Sequence, residues 1–370
     1  MTIPVATDLK SILEFFEALE MFAFVFACGA IIGALMYLWL LATSHGALRT
    51  KLLGMPIAFT HLLLSRDNKW SKPADPQTIL LQSQKSPETC QRKRIYFVRH
   101  GESMWNEVFN RGLDIGIIWR FLSCVMQELN LLPYPDSVFW DSPLSPLGIR
   151  QAVQLSAWVE HSHPNNVHAA ILRGTSDTQS VVCVSNLRRA VSTVLTGLSG
   201  RLIRNSKERV YITSSAQEIT RNIDGYSLSP PGGHPTASWI EAQLPELDRV
   251  VSGLYSSDRL TGSPNKGNKP LFGSNGLKRM SEFCRFVFTS EISADKPTVI
   301  LGGHSLWFRE FFKNFLPNNF VHECKSNKIV NCGIVAFDLI SVNNATGFVI
   351  DPESIQVVYG GFEDKKSKKN

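Results

Sequence analysis

Ile95-Tyr96-Phe97-Val98-Arg99-His100-Gly101-Glu102-Ser103-Met104-Trp105-Asn106 is the stretch on which the reading of this 370-residue chain turns. Its first four residues form a short continuous apolar run, the pattern of a strand buried on both faces. The run leads straight into an Arg and a His, then a Gly where the backbone must turn tightly. Four more segments, 181–184, 210–213, 299–301 and 334–339, read as strands. A helix is predicted from Ser145, a good N-cap, with Pro146 in the first helical position. Others are predicted over 187–198, 277–289 and 306–315. Strands alternating with helices give an α/β fold: a three-layer α/β/α sandwich with a largely parallel central sheet. Ligands of such sheets bind beyond the carboxyl ends of the strands.

Those ends hold the chemistry. The second strand runs into Ser185-Asn186-Leu187-Arg188-Arg189-Ala190, the third is followed by Gln217-Glu218, and the fourth ends in Gly302-Gly303-His304-Ser305. Two His, at least two Arg and one Glu thus share one edge of the sheet. The set suits phosphoryl transfer through a phosphohistidine. A neutral imidazole is a competent nucleophile near pH 7. Guanidinium groups bind phosphoryl oxygens bidentately, and a second, protonated His adds a donor. A carboxylic acid of raised pKa protonates the leaving oxygen. The scheme calls for no metal or other cofactor, because Arg and His provide the positive charge.

With these elements in family order, residues 92–351 resemble the histidine phosphatase superfamily, the phosphoglycerate-mutase-like proteins. R-H-G-E-S-x-W-N spans Arg99 to Asn106, S-x-L-x-R-A spans Ser185 to Ala190, and the L-[ST]-x-x-G-x-x-Q-A helix start falls on Leu144, Ser145, Gly148, Gln151 and Ala152. The resemblance implies the same sandwich, with His100 as nucleophile. It implies Arg99, Arg189, His304 and Asn106 as phosphate contacts, and Glu218 as proton donor. Glu102 and Asp224 stand as alternatives for the acid. Arg188 is the variable neighbour of Arg189. Phosphoglycerate mutases carry E-R-x-Y-G around the acid; here Ile219-Thr220-Arg221-Asn222-Ile223-Asp224 follows it, which favours a phosphatase acting on a phosphomonoester. A phosphomutase, and a catalytically silent membrane adaptor of this fold, are the alternatives.

Outward from this domain, the chain divides into a short tail (1–20), an apolar run (21–43), a juxtamembrane segment and linker (44–91), the domain itself (92–351) and a basic C-terminal tail (352–370). Only 19% of residues are charged, and none between Met21 and Leu48. A bilayer core ~30 Å thick needs ~20 helical residues, and this run supplies them. Arg49, Lys51, Arg66, Lys69 and Lys72 follow it while Lys10 alone precedes it, so the expected orientation is single-pass with the domain cytosolic. The acidic start speaks against a cleaved signal peptide. Gly29 and Gly33 form a GxxxG that allows a homodimer. Residues 52–64, interrupted by Pro56, are expected at the interface or on the domain. Lys366 and Lys368 match a dilysine signal for the endoplasmic reticulum membrane. The net charge of +6 is spread out, giving no case for nucleic acid. The seven cysteines show no framework and read as free thiols. The sequon at Asn344 is read as a bare chance triplet. Of two insertions, about 107–140 is expected as a helical piece packed on the domain, with a pocket wall or membrane-contacting face as the alternative, and about 224–276 either as the region that in the family covers the active site and sets substrate choice or as a surface excursion. His161, His163 and His168 read as a loop rather than a metal site, and Arg201, Arg204, Lys207 and Arg209 as a loop face.

Overall fold

The structure, a computed structural model, describes residues 6–110, 116–243, 252–270, 272–342 and 346–363. The chain forms two compact units, Met1–Pro56 and Ile57–Asn370. In the first, helix α1 (Ala6–Thr43) contains the stretch Leu19–Thr43, which is exposed and is long and apolar enough to cross a bilayer. Helix α2 (Gly46–Leu64) continues through Pro56.

The second unit is built on one sheet: β1 (Gln91–Arg99), β2 (Ser180–Ser185), β3 (Val210–Thr213), β4 (Leu260–Thr261), β5 (Thr298–Gly303), β6 (Ile334–Val342), β7 (Gly347–Ile350) and β8 (Gln356–Tyr359). Its order is β4-β3-β2-β5-β1-β6-β7, with β8 also on β6. The section β4 to β1 is parallel, and β6 joins β1, β7 and β8 antiparallel. The strands alternate between two cores, as the two-residue period of a pleated strand requires. Tyr96 and Val98 face one core together with α6 (Pro146–His161), α7 (Val167–Arg173), α8 (Arg188–Gly197) and α9 (Ser199–Arg204). Ile95 and Phe97 face the other with α11 (Gly276–Thr289) and α12 (Ser305–Phe315). Trp307, Phe308, Phe311, Phe312 and Phe315 make the buried stripe of α12 at helical spacing. This is the expected three-layer sandwich, and its strands and main helices fall where the periodicity put them. The thiols are all free.

Two boundaries differ from expectation. Residues 67–91 are not a linker. Asp67 is fully buried, Trp70 donates to Asn314, and α3 (Gln77–Lys85) packs Leu80 on Ile340, Val342 and Val349. Ala58 and His61, from the end of α2, are also buried. The C-terminal segment is likewise no mere solvated tail: β8 extends the sheet, and Glu363 is bonded to Lys328 O. Lys366, Lys368 and Asn344 lie outside the described residues.

The first insertion holds α4 (Met104–Phe109) and α5 (Gly116–Leu131). It packs through Phe109, Phe121, Phe139 and Trp105, whose rings touch in sequence. The second contributes α10 (Trp239–Ala242) and β4.

Candidate active site

Sheet register brings the two histidines together. Arg99 pairs with Gly303 across β1 and β5, so His100 and His304 are the next residues on adjacent parallel strands. Their ring centroids are 5.1 Å apart, and His100 N donates to Gly303 O at 3.0 Å. On the other side of β5, Ser185 closes β2 and its Oγ lies 2.8 Å from His304 Nε2.

The turn after His100 rests on the start of α6. Gly101 N donates to Thr193 Oγ1 at 3.0 Å and Glu102 N to Gln151 Oε1 at 2.9 Å. Ser145 Oγ donates to Glu102 Oε2 at 2.8 Å and accepts from Gly148 N at 3.1 Å. A Cβ on Gly101 would stand 2.6 Å from Gly148 O, and one on Gly148 would collide with the Glu102 carbonyl. The Ser145–Ala152 pattern is therefore a cradle for the turn after His100, and Glu102 is consumed in it.

His100 Nδ1 lies 2.5 Å from Gly101 O. A carbonyl only accepts, so Nδ1 carries the proton and Nε2 keeps its lone pair. Burial, then Arg189 and Arg99, hold the His100 pKa well below the usual histidine value. Burial, Arg189 and His100 do the same to His304. Burial and the neighbouring guanidinium groups thus disfavour the protonated form of His304 while the cleft holds no anion. The His304 Nδ1 is buried without a partner.

Arg189 is buried; its NH1 donates to Asp224 O at 2.7 Å and its NH2 lies 3.3 Å from Asp224 Oδ2. Arg188 points elsewhere and ties Asp136 and the Asp141 carbonyl together. Glu218 follows β3; its Oε1 accepts from the amides of Ile219 and Trp307, both at 2.9 Å, which leaves Oε2 for the cleft. Burial raises the Glu218 pKa, and likewise that of Asp224. Asn106 Oδ1 accepts from Asn110 at 2.7 Å, so its own amide NH2 remains to donate.

Arg99, His100, Asn106, Arg189 and Glu218 line one cleft of about 150 Å³. His304 lies behind His100. Three cleft groups escaped the sequence reading: Lys328, Asn222 and Asp224 as the partner of Arg189. Outside the cleft lining, Glu363 bonds Arg99 NH1 at 2.6 Å, and Ile329 O accepts from the same nitrogen. The β8 segment carried a legible signal in its β-branched and aromatic residues, Ile355, Val357, Val358 and Tyr359; Lys328 carried none. The other histidines do not converge: His161 bonds Ala157 O, His163 accepts from Asn165 N, and His168 meets the Tyr96 hydroxyl. Arg201 and Arg204 are engaged by Glu208 and Glu160.

No family model matches the chain, and no curated protein matches it. Solved structures similar to it include a mycobacterial hydrolase, with 14% identity, 74% of this chain, all of that chain and a TM-score of 0.34. A mycobacterial glucosyl-3-phosphoglycerate phosphatase shares 14% identity over 73% of this chain and 99% of its own, at 0.34. A phosphoserine phosphatase from Entamoeba histolytica shares 14% over 74% and 98%, at 0.31. Histidine phosphatase superfamily members are thus among its structural neighbours. At such identities a likeness speaks to fold alone, and the chemistry rests on this chain's own side chains.

Proposed function

We propose that the protein is a membrane-anchored phosphatase that hydrolyses a phosphomonoester through a phosphohistidine on His100. The observation that carries this reading is the His100 ring itself. Its Nδ1 is tied to Gly101 O, and its Nε2 is left nucleophilic in a cleft that also holds Arg99, Arg189, Asn106, Lys328 and Glu218. Nε2 attacks phosphorus in line as the ester P–O bond breaks. Glu218, whose pKa burial raises, gives its proton to the leaving oxygen. The guanidinium groups and Lys328 take up the charge on the equatorial oxygens. Water then attacks the phosphohistidine, Glu218 takes the proton back, and inorganic phosphate leaves with the imidazole restored. A bound phosphoryl group supplies the negative charge that lets His304 take a proton and donate.

The stretch Leu19–Thr43 would hold this domain at a membrane, single-pass, and the basic residues after it favour a cytosolic domain. The dilysine pattern favours the endoplasmic reticulum, and Gly29 and Gly33 a homodimer. The deciding experiment is alkaline-quench trapping of phosphohistidine on the full chain with a panel of sugar, lipid, inositol and peptide phosphates. Wild type should label and release phosphate, and His100→Ala should do neither while keeping its fold. Full turnover by His100→Ala would overturn the mechanism.

A further inference from the structure

Helix α2 ends at Leu64, and three residues later the chain buries a carboxylate beneath the catalytic loop. Asp67 is fully buried. Its Oδ2 bonds Arg279 NH2 at 2.5 Å and lies 3.4 Å from Lys269 Nζ. Its Oδ1 accepts from Ser274 Oγ at 2.5 Å, and its carbonyl accepts from Gly276 N at 3.0 Å. One anion thus faces two cations, and both cations donate to one stretch of backbone. Lys269 Nζ donates to Glu218 O at 2.8 Å and Thr220 O at 2.5 Å. Arg279 NH1 donates to Gln217 O at 2.8 Å. Lys269 N in turn donates to Gln217 Oε1 at 2.9 Å. The carbonyls of residues 217, 218 and 220 are therefore held by two side chains that Asp67 bridges.

We propose that Asp67, through Lys269 and Arg279, is a positioning residue for the Glu218 acid. The proposal rests on the phosphatase reading above. The physical logic is one of buried charge. Two cations taken out of water repel, and a carboxylate between them fixes both heads in one place. Their donors then fix the peptides on either side of Glu218, whose Oε1 is already held by Ile219 N and Trp307 N. The leaving-group oxygen must lie within hydrogen-bond reach of the free Oε2, and a shift near 1 Å costs about 100-fold. The same loop meets α2 again, where His61 Nδ1 lies 3.4 Å from Arg221 O and its ring packs edge-on to Tyr226.

The test uses the full chain and aryl phosphates with leaving-group pKa values from about 5 to 10, for which the need for a proton donor rises along the series. With Glu218 in place, log kcat/KM should fall only gently as the leaving group becomes more basic. Asp67→Asn should steepen that slope as Glu218→Gln does. The most basic leaving groups should lose about 10- to 100-fold and the most acidic little. Lys269→Gln is the electrically milder arm, because it leaves Asp67 and Arg279 as a balanced pair; the same steepening is expected if Asp67→Asn does not fold. A purely structural role would lower every member of the series by one factor. Parallel lines for a folded variant would overturn the proposal. Absence of phosphohistidine in the wild type would instead overturn the phosphatase reading.

Discussion

Glu363 Oε1 stands 2.6 Å from Arg99 NH1, so a carboxylate from the end of the sheet occupies the arginine that the R-H-G turn presents to phosphate. An incoming dianion must share that guanidinium. Ile329 O holds the same nitrogen, so Arg99 stays placed when the carboxylate is removed. Glu363→Gln should therefore tighten inhibition by inorganic phosphate about fivefold, near 1 kcal/mol. The inhibition constant of the full chain reads this out; unchanged or weaker inhibition would contradict it.

The ionisation of His100 makes a prediction about pH. In the proposed mechanism the free base is the nucleophile, and burial with Arg189 and Arg99 keeps the His100 pKa well below 6.5. The acid limb of kcat/KM should accordingly lie below pH 6.5, where an exposed histidine would already be half protonated. An acid limb at or above 6.5 would show His100 to be unperturbed.

Stability should also follow a histidine. Burial, and next Lys269, bring the His61 pKa down to about 4. Unfolded, the ring binds a proton below about 6.5; folded, it does not until about 4. Its contribution is whole above 6.5 and is lost as the pH falls toward 4. Between about pH 7.5 and 5.5, His61→Gln should lose about 1 kcal/mol less than wild type in urea denaturation. Equal losses would sink the assignment.

Gly148→Ala should be among the most damaging single-methyl changes in the protein. The added Cβ meets the Glu102 carbonyl inside the nucleophile turn. Overpacking of this kind costs about 1–3 kcal/mol, and the turn can relieve it only by moving His100. A fall of about 100-fold in turnover is expected from folded protein, and a wild-type rate would show the turn to be looser than its contacts imply.

A chain beginning at Arg92 lacks Asp67 and leaves Lys269 and Arg279 buried without their anion. Breaking a buried pair costs about 3–5 kcal/mol. Thermal unfolding should therefore separate that chain sharply from one beginning at Ile57, where the compact unit starts. Equal midpoints would mean that the network relaxes at little cost.

The legible part of this protein was the part written locally. Ile95–Val98 and the residues after it could be read because a buried strand, a turn and a functional tip are contiguous. The register that sets His304 beside His100 then follows from strand order. Ser145, Gly148 and Gln151 were visible as a motif, but their work as a cradle for Glu102 appears only once α6 meets β1. Asp67 was illegible for a physical reason. A single buried carboxylate among Pro73, Pro76 and polar neighbours leaves no periodicity, and its partners lie some 200 residues away. Lys328 and Glu363 share that condition. The downward pull on the His304 pKa was not legible because a pKa belongs to a pocket and not to a residue type.

Strand order has a last consequence, in time rather than space. β1 is made before the rest of the sheet, yet its two neighbours in the sheet, β5 and β6, are made after every other strand except β7 and β8. About 200 residues separate His100 from His304. At ~5–20 residues per second, a ribosome needs roughly 10 to 40 s to deliver the second histidine after the first. Through that interval β2 and β3 can already pair, while the apolar Ile95–Val98 run waits with both edges bare, the condition in which strands find wrong partners. The centre of the finished enzyme is the most exposed place in the growing one.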